Sequence, residues 1–260
     1  MYIILRDILR SMFKRFNLGL IKYADLVRLH QSFIDHTCLS NKFEYFLQFQ
    51  KSENFSEIRI PNFLDESKSQ NGQDLFALWA TGFKREGVFI EFGGYDGVIF
   101  SNTYLLEKHF SWSGILIDPI PSHYESMKKN RECTVIQGAV SPREQGSVLI
   151  QETPASELSG VVSKRRYFTK VHKVKTFTLG EIIEQHISNG EIDFLSIDVE
   201  GQDLEILKEL DLEKYKIKAI CVEHNFRKDS RFIIPHMIKY GYDLVFEEYS
   251  KNDYWFVLQE

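Results

Sequence analysis

An apolar run, Val88-Phe89-Ile90, leads straight into Glu91-Phe-Gly-Gly-Tyr-Asp-Gly97, and a helix-like segment from Asn102 to His109 follows. A strand, a glycine-rich turn and a helix in this order hold a ligand at a helix N-terminus, beyond the carboxyl end of a sheet. This feature constrains the fold more than any other in the chain. The turn reads acidic-x-Gly-x-x-x-Gly, so its middle glycine is misplaced for the G-x-G-x-x-G of a dinucleotide fold. Glycines also close tight strand-to-helix connections that bind nothing, and the turn alone leaves that reading open.

The rest of the chain from residue 67 alternates in the same way. Helices are expected over about Asp74–Phe83, Pro121–Asn130, Thr178 to about Ile187, Asp203–Leu210 and Phe232–Tyr240. Pro121 suits a first helical turn, and Thr178 with Glu181 has capping-box spacing. Core strands are expected at Val88–Phe92, Gly114–Asp118, Thr134–Val140, Phe194–Asp198 and Ile217–Glu223. An extra strand, Ser147–Gln151, is followed by a loop rich in Ser and Gly. Apolar strands separated by helices make a mostly parallel sheet covered on both faces. Tyr242–Glu247 and Tyr254–Leu258 are joined by a polar turn, Ser250–Asp253, too short for a parallel crossover. They should close the sheet as an antiparallel hairpin, giving seven core strands in an α/β fold.

Residues 1–66 read as a helical extension, and the polar stretch Ser67–Gln73 marks the boundary with a domain spanning 67–260. Ile4, Ile8, Met12 and Phe16 repeat at i, i+4, as do Arg6, Arg10 and Lys14, which makes a basic amphipathic helix. Such a helix lies on an anionic membrane, or packs its apolar face on the larger domain or on the partner in a homodimer. The second reading is preferred, because amphipathic helices usually face a core. A net charge of −5 argues against nucleic acid as a partner. Cys38, Cys133 and Cys221 are far apart and odd in number, which fits a reducing compartment. No apolar run approaches the roughly 20 residues of a membrane span, and the N-terminus lacks the pattern of a secretory signal. A cytoplasmic protein is expected, with peripheral membrane contact through the N-terminal helix as the alternative.

An acidic residue at the first strand end, Glu91, suits a ligand carrying an ammonium and a sulfonium better than one carrying phosphates. S-adenosylmethionine is such a ligand. Gly93, Gly94, Asp96 and Gly97 complete the turn. Asp118 ends the second strand about 20 residues on, where an acid accepts hydrogen bonds from ribose hydroxyls. A turn-forming aspartate before Pro119 is the plainer alternative. Gly138 and Ala139 are small enough for an adenine ring to lie against the backbone. Asp198-Val-Glu200-Gly ends the fourth strand, and two acids there are costly to bury unless they serve a partner. They also suit a helix N-terminus. Glu223-His224-Asn225 ends the fifth strand, where His224 is either a general base or a structural histidine. Asp198, Glu200, Glu223 and Asn225 carry hard oxygens suited to Mg²⁺, but no spacing rule demands a metal and none is assigned.

Taken together, Gln73-Asp-Leu-Phe76, Phe89–Gly97, Ser101-Asn-Thr103, Trp112–Pro119, Val174–Leu179, Leu195–Gly201 and Glu223-His-Asn225 resemble FkbM-type methyltransferases. The similarity spans roughly 67–258, with the motifs in order. It implies a class I, Rossmann-like, S-adenosylmethionine-dependent fold and methyl transfer, usually to a hydroxyl oxygen. Acceptors in the family include sugars of surface polysaccharides and glycolipids, and polyketide metabolites. The family often has Asp where this chain has Glu91, and Glu where it has Asp118. On this reading Glu91, Gly93, Gly94, Asp96, Gly97, Ser101, Asn102, Asp118, Gly138, Ala139 and Asp198 form the cofactor site. Glu200 or His224 takes the proton, with Asp198 beside the methionine end. Two rivals remain: a nicotinamide-dependent reductase, disfavoured by the missing fingerprint, and a methyltransferase-shaped binding module of a glycan assembly complex.

Overall fold

The computed structural model describes residues 66–143, 146–152, 160–161, 170–188, 190–199 and 201–259. The expected N-terminal helices and Glu200 lie outside the described residues.

A seven-stranded sheet organises the domain. Its strands are β1 (Val88–Phe92), β2 (Ser113–Asp118), β3 (Thr134–Gln137), β8 (Ile192–Ile197), β9 (Ile217–Glu223), β10 (Tyr242–Val245) and β11 (Asp253–Leu258). Their spatial order is β10-β11-β9-β8-β1-β2-β3. β1 pairs in parallel with both β2 and β8, so the chain runs outward from the centre in one direction and then in the other. β11 slots between β10 and β9, antiparallel to both. The expected closing hairpin is thus present.

Both faces of the sheet are covered, which explains why its strands read as apolar runs rather than alternations. Successive residues point to opposite faces. Ile90, Leu195 and Ile220 pack on one side with α4 (Leu179–His186), α5 (Asp203–Glu209) and α6 (Ile233–Lys239). Phe89, Phe194, Cys221 and Trp255 pack on the other with α1 (Gln73–Ala80), α2 (Tyr104–Phe110) and Met127 of α3 (Pro121–Asn130). Phe76 of α1 stacks on Trp255 of β11 with ring centroids 5.1 Å apart. The expected capping box opens α4, with the Thr178 side chain accepting from the Glu181 amide and the Glu181 side chain accepting from the Thr178 amide.

The expected third strand, Thr134–Val140, needs correction. It is two strands in two sheets. β3 ends at Gln137, and β4 (Ala139–Val140) leaves to pair with β7 (Lys170–Phe177). Gly138 sits at the changeover, where a Cβ would lie 2.5 Å from the Phe177 ring. The segment read as a loop after Gln151 contains β7, which pairs antiparallel with β5 (Ser147–Glu152); β5 in turn pairs with β6 (Gly160–Val161). These strands make a small sheet of order β4-β7-β5-β6. In β7 the buried Val174 and Thr176 alternate with exposed Lys173 and Lys175, the pattern of a half-buried strand. Among the described residues, no helix is long and apolar enough to cross a membrane.

Candidate active site

The direction of strand order reverses at β1, and the crevice beyond the carboxyl ends of the strands on either side is a cavity. On the β1–β3 side it is lined by Gly93, Tyr95, Asp118, His123, Gly138 and Ala139. Towards β8, β9 and β11 it is lined by Gln73, Asp198, Gln202, Glu223 and Asp253. Gly93 has φ of +74°, and a Cβ there would lie 3.1 Å from the Asp198 carbonyl oxygen. Only glycine lets the β1 end pass this close to the β8 end without strain.

Asp118 ends β2 and is 4% exposed. Its Oδ1 accepts from the Ile120 amide at 2.8 Å and faces His123 Nδ1 at 3.0 Å, while Oδ2 accepts from the Tyr95 amide at 3.2 Å. The carboxylate therefore ties the glycine turn to the start of α3. Tyr95 meets the His123 ring edge-on at 4.8 Å. The His123 Nε2 atom is buried and has no hydrogen-bond partner, although the ring lines the cavity. A neutral imidazole donating from Nδ1 offers a lone pair at Nε2, and a buried acceptor of that kind is completed by a donor from a ligand or a water.

Glu91 is 1% exposed, and the loop before α2 already engages its carboxylate. The Asn102 amide, Ser101 Oγ and Thr103 Oγ1 all donate to it. Burial raises its pKa against the opposing charge of Arg131. Arg131 is fully enclosed and donates to the Gly97 carbonyl, Ser101 Oγ, Thr103 Oγ1 and the Glu107 carboxylate. Two hydroxyls thus bridge a buried acid and a buried base and set the turn from Gly97 to Thr103. Asn102 emerges from that turn into the cavity wall and donates to Ser196 Oγ at 2.8 Å. Gly94 and Gly97 face Met127 and Arg131, Asp96 caps the amides of Val98 and Ile99, and Ser101 belongs to the Glu91 network. None of these four lines the cavity. They support the wall rather than form it.

The far side of the cavity differs from the sequence expectation. Asp198 is exposed at the end of β8 and lines the cavity. The turn after it is held by Asp203, which accepts from the amides of Val199 at 3.2 Å and Gly201 at 3.1 Å. Burial raises the Asp203 pKa, and Arg227 lies 3.6 Å away. His224 does not line the cavity. Its ring stacks on Tyr254 at 4.2 Å, its Nδ1 accepts from the Phe226 amide at 3.1 Å, and it forms a further hydrogen bond to the Lys251 backbone. Burial lowers its pKa. These backbone hydrogen bonds pin the ring of His224, and with it the β9 end, to the turn before β11.

Asp253 lines the cavity at the same edge of the sheet. It is the first residue of β11 and the register partner of Glu223, the last residue of β9. It is 8% exposed, and its Oδ2 accepts from Gln73 Nε2 at 2.6 Å. Burial pushes its pKa up to about 6. Sequence reading did not single out Tyr95, His123, Arg131 or Asp253. A signal for Asp253 existed: the first residue of a strand antiparallel to β9 must lie at the carboxyl edge of β9. Burial also raises the Cys221 thiol well above its usual range. Among the described residues no group of three or more His, Cys, Asp or Glu is arranged to hold a metal ion.

The pattern of the methyltransferase FkbM domain matches residues 91–244. The chain belongs to this methyltransferase family. The match begins at Glu91 and ends within β10, so Gln73 and Asp253 of the FkbM chain lie outside it. One solved structure similar to this methyltransferase is a precorrin-6y C5,15-methyltransferase from Geobacter metallireducens GS-15. It shares 10% identity with a TM-score of 0.40, covering 71% of this chain and 85% of that one. No curated protein matches the chain.

Proposed function

We propose that this protein transfers a methyl group from S-adenosylmethionine to a hydroxyl oxygen, with a sugar of a surface polysaccharide or glycolipid as the acceptor class. A hydroxyl on a polyketide-type metabolite presents the same chemistry. One observation carries the reading. A single cavity joins the Asp118–His123 wall to a wall of carboxylates and amides, and among the described residues no lysine or arginine lines it. Acids without cations suit a ligand bearing a sulfonium and an ammonium. Gln73, Gln202, Glu223 and Asp253 suit the hydroxyls of a neutral acceptor.

Gly93, Asp118, His123 and Ala139 would hold the adenosyl end, and Asp198 the methionine end. The orphan His123 Nε2 and the glycine-only approach at Gly93 fit such a ligand. The cofactor supplies an electrophilic methyl group. The chain must align the acceptor oxygen, exclude water and receive a proton. Alignment supplies several kcal/mol of the barrier, and a positioned base about 10²–10⁴-fold in rate. Titration calorimetry with S-adenosylmethionine, its demethylated product and NAD(H) tests the reading, together with transfer of labelled methyl to sugar glycosides. Binding of NAD(H) in preference to S-adenosylmethionine would replace it with the reductase. Cofactor binding without transfer to any acceptor would replace it with the binding module.

A further inference from the structure

We infer that Asp253, oriented by Gln73, is the group that takes the proton from the acceptor hydroxyl. The inference rests on the methyl-transfer reading above and names a residue for it on the strand beyond the family match. Three observations converge. Asp253 lines the cavity beside Glu223, its register partner, at the carboxyl edge where β9 and β11 meet. Its Oδ2 is held at 2.6 Å by Gln73 Nε2, a neutral donor that fixes the carboxylate without neutralising it. Of the two groups first considered for this task, His224 lies outside the cavity wall with its ring hydrogen-bonded to backbone.

The chemistry balances. A lone pair of the acceptor oxygen forms the bond to the methyl carbon. The methyl–sulfur bond breaks with its electron pair on sulfur, which passes from sulfonium to neutral thioether. The hydroxyl proton moves to Asp253, which passes from carboxylate to carboxylic acid. A positive and a negative charge disappear together, which a buried site favours. An exposed carboxylate near pH 4 is a poor base, whereas one pushed up to about 6 is ionised at neutral pH and closer in basicity to the task. The charged and titratable groups around it are Glu223 and Cys221 on β9 and Asp203 at the start of α5. Burial, with Asp203 beside it, keeps Asp253 basic against the neutral donors Gln73 and Trp255.

The test uses the full chain, labelled S-adenosylmethionine and a panel of methyl glycosides of hexoses and deoxyhexoses. Asp253→Asn keeps the shape and the hydrogen-bond partner. It should lower turnover about 10²–10⁴-fold while affinity for S-adenosylhomocysteine stays within about threefold. The wild type should show an acid limb in its pH–rate profile near 6 that the variant lacks, and Asp253→Glu should recover part of the rate. Gln73→Ala should lower turnover less than Asp253→Asn and shift the same limb. Thermal unfolding and homocysteine-product affinity confirm that each variant is folded. An Asp253→Asn enzyme that turns over normally overturns Asp253 and leaves the methyl-transfer reading standing. A wild type that binds cofactor and methylates nothing in the panel overturns both.

Discussion

Asp118 and Asp253 are both buried carboxylates at the carboxyl edge of one sheet, yet their surroundings differ. Asp118 is held by two backbone amides and faces a histidine, so its oxygens are fixed acceptors woven into the turn. Asp253 has a neutral glutamine on one oxygen and acidic neighbours, and burial leaves its pKa at about 6. Backbone amides make a carboxylate a good place to bind hydroxyls. Desolvation with a neutral partner keeps a carboxylate ready to take a proton. The β1–β3 side of the cavity is accordingly tied together by backbone amides, and the proposed proton acceptor lies on the β8–β11 side.

The largest expected effect on folding falls on the β1–β3 side. Arg131→Met should destabilise the domain by about 3–5 kcal/mol, because it leaves the Glu91 and Glu107 carboxylates without their buried cation. Urea unfolding measures this, and a loss under 1 kcal/mol would mean that the turn is held by packing alone. Asp118→Ala should weaken S-adenosylmethionine binding by about 1.5–3 kcal/mol in calorimetry. Unchanged affinity would take Asp118 out of the cofactor site and erase its contrast with Asp253.

The opposite sign is expected on the other side. Between about pH 4, where an unfolded aspartate releases its proton, and about pH 6, folded Asp253 still holds one. The native state binds more protons in that window, so stability falls as pH rises through it. Asp253→Asn removes that fall and should be more stable than wild type at pH 7–8 by about 2 kcal/mol. Equal or lower stability at neutral pH would show that the ionised carboxylate is better satisfied than its burial implies. The smallest effect is His123→Ala, which should cost about 0.5–1.5 kcal/mol of cofactor affinity through the unpartnered Nε2. A cofactor affinity unaltered by this change would assign that nitrogen to water.

The order of the main-sheet strands and their helices, the glycine turn, the capping box at Thr178 and the closing hairpin were legible in the sequence. Each depends on residues close together along the chain, where periodicity and turn chemistry act directly. β7 was not read as a strand, because its alternating half-buried pattern sits among polar residues and its partner β5 lies across an intervening segment. Thr134–Val140 looked continuous because every residue in it suits a strand. The break at Gly138 exists because Phe177, far along the chain, packs against it.

Candidate site residues divided in the same way. Strand-end acids announced the edge of the sheet, and Asp118 and Asp198 do line the cavity. The sequence could not tell which side of a strand end a residue faces, so His224 stood as an equal candidate with Glu200. Tertiary packing turned His224 onto Tyr254 and the backbone of Phe226 and Lys251. It brought Asp253 and Gln73, 180 positions apart, into contact. The sequence by itself determined the main-sheet elements and the ligand edge, since those follow from local propensity and from the parallel order of the strands. Only the tertiary structure decided which carboxylate is held by backbone and which is left basic, because burial and donor identity come from segments distant in the chain.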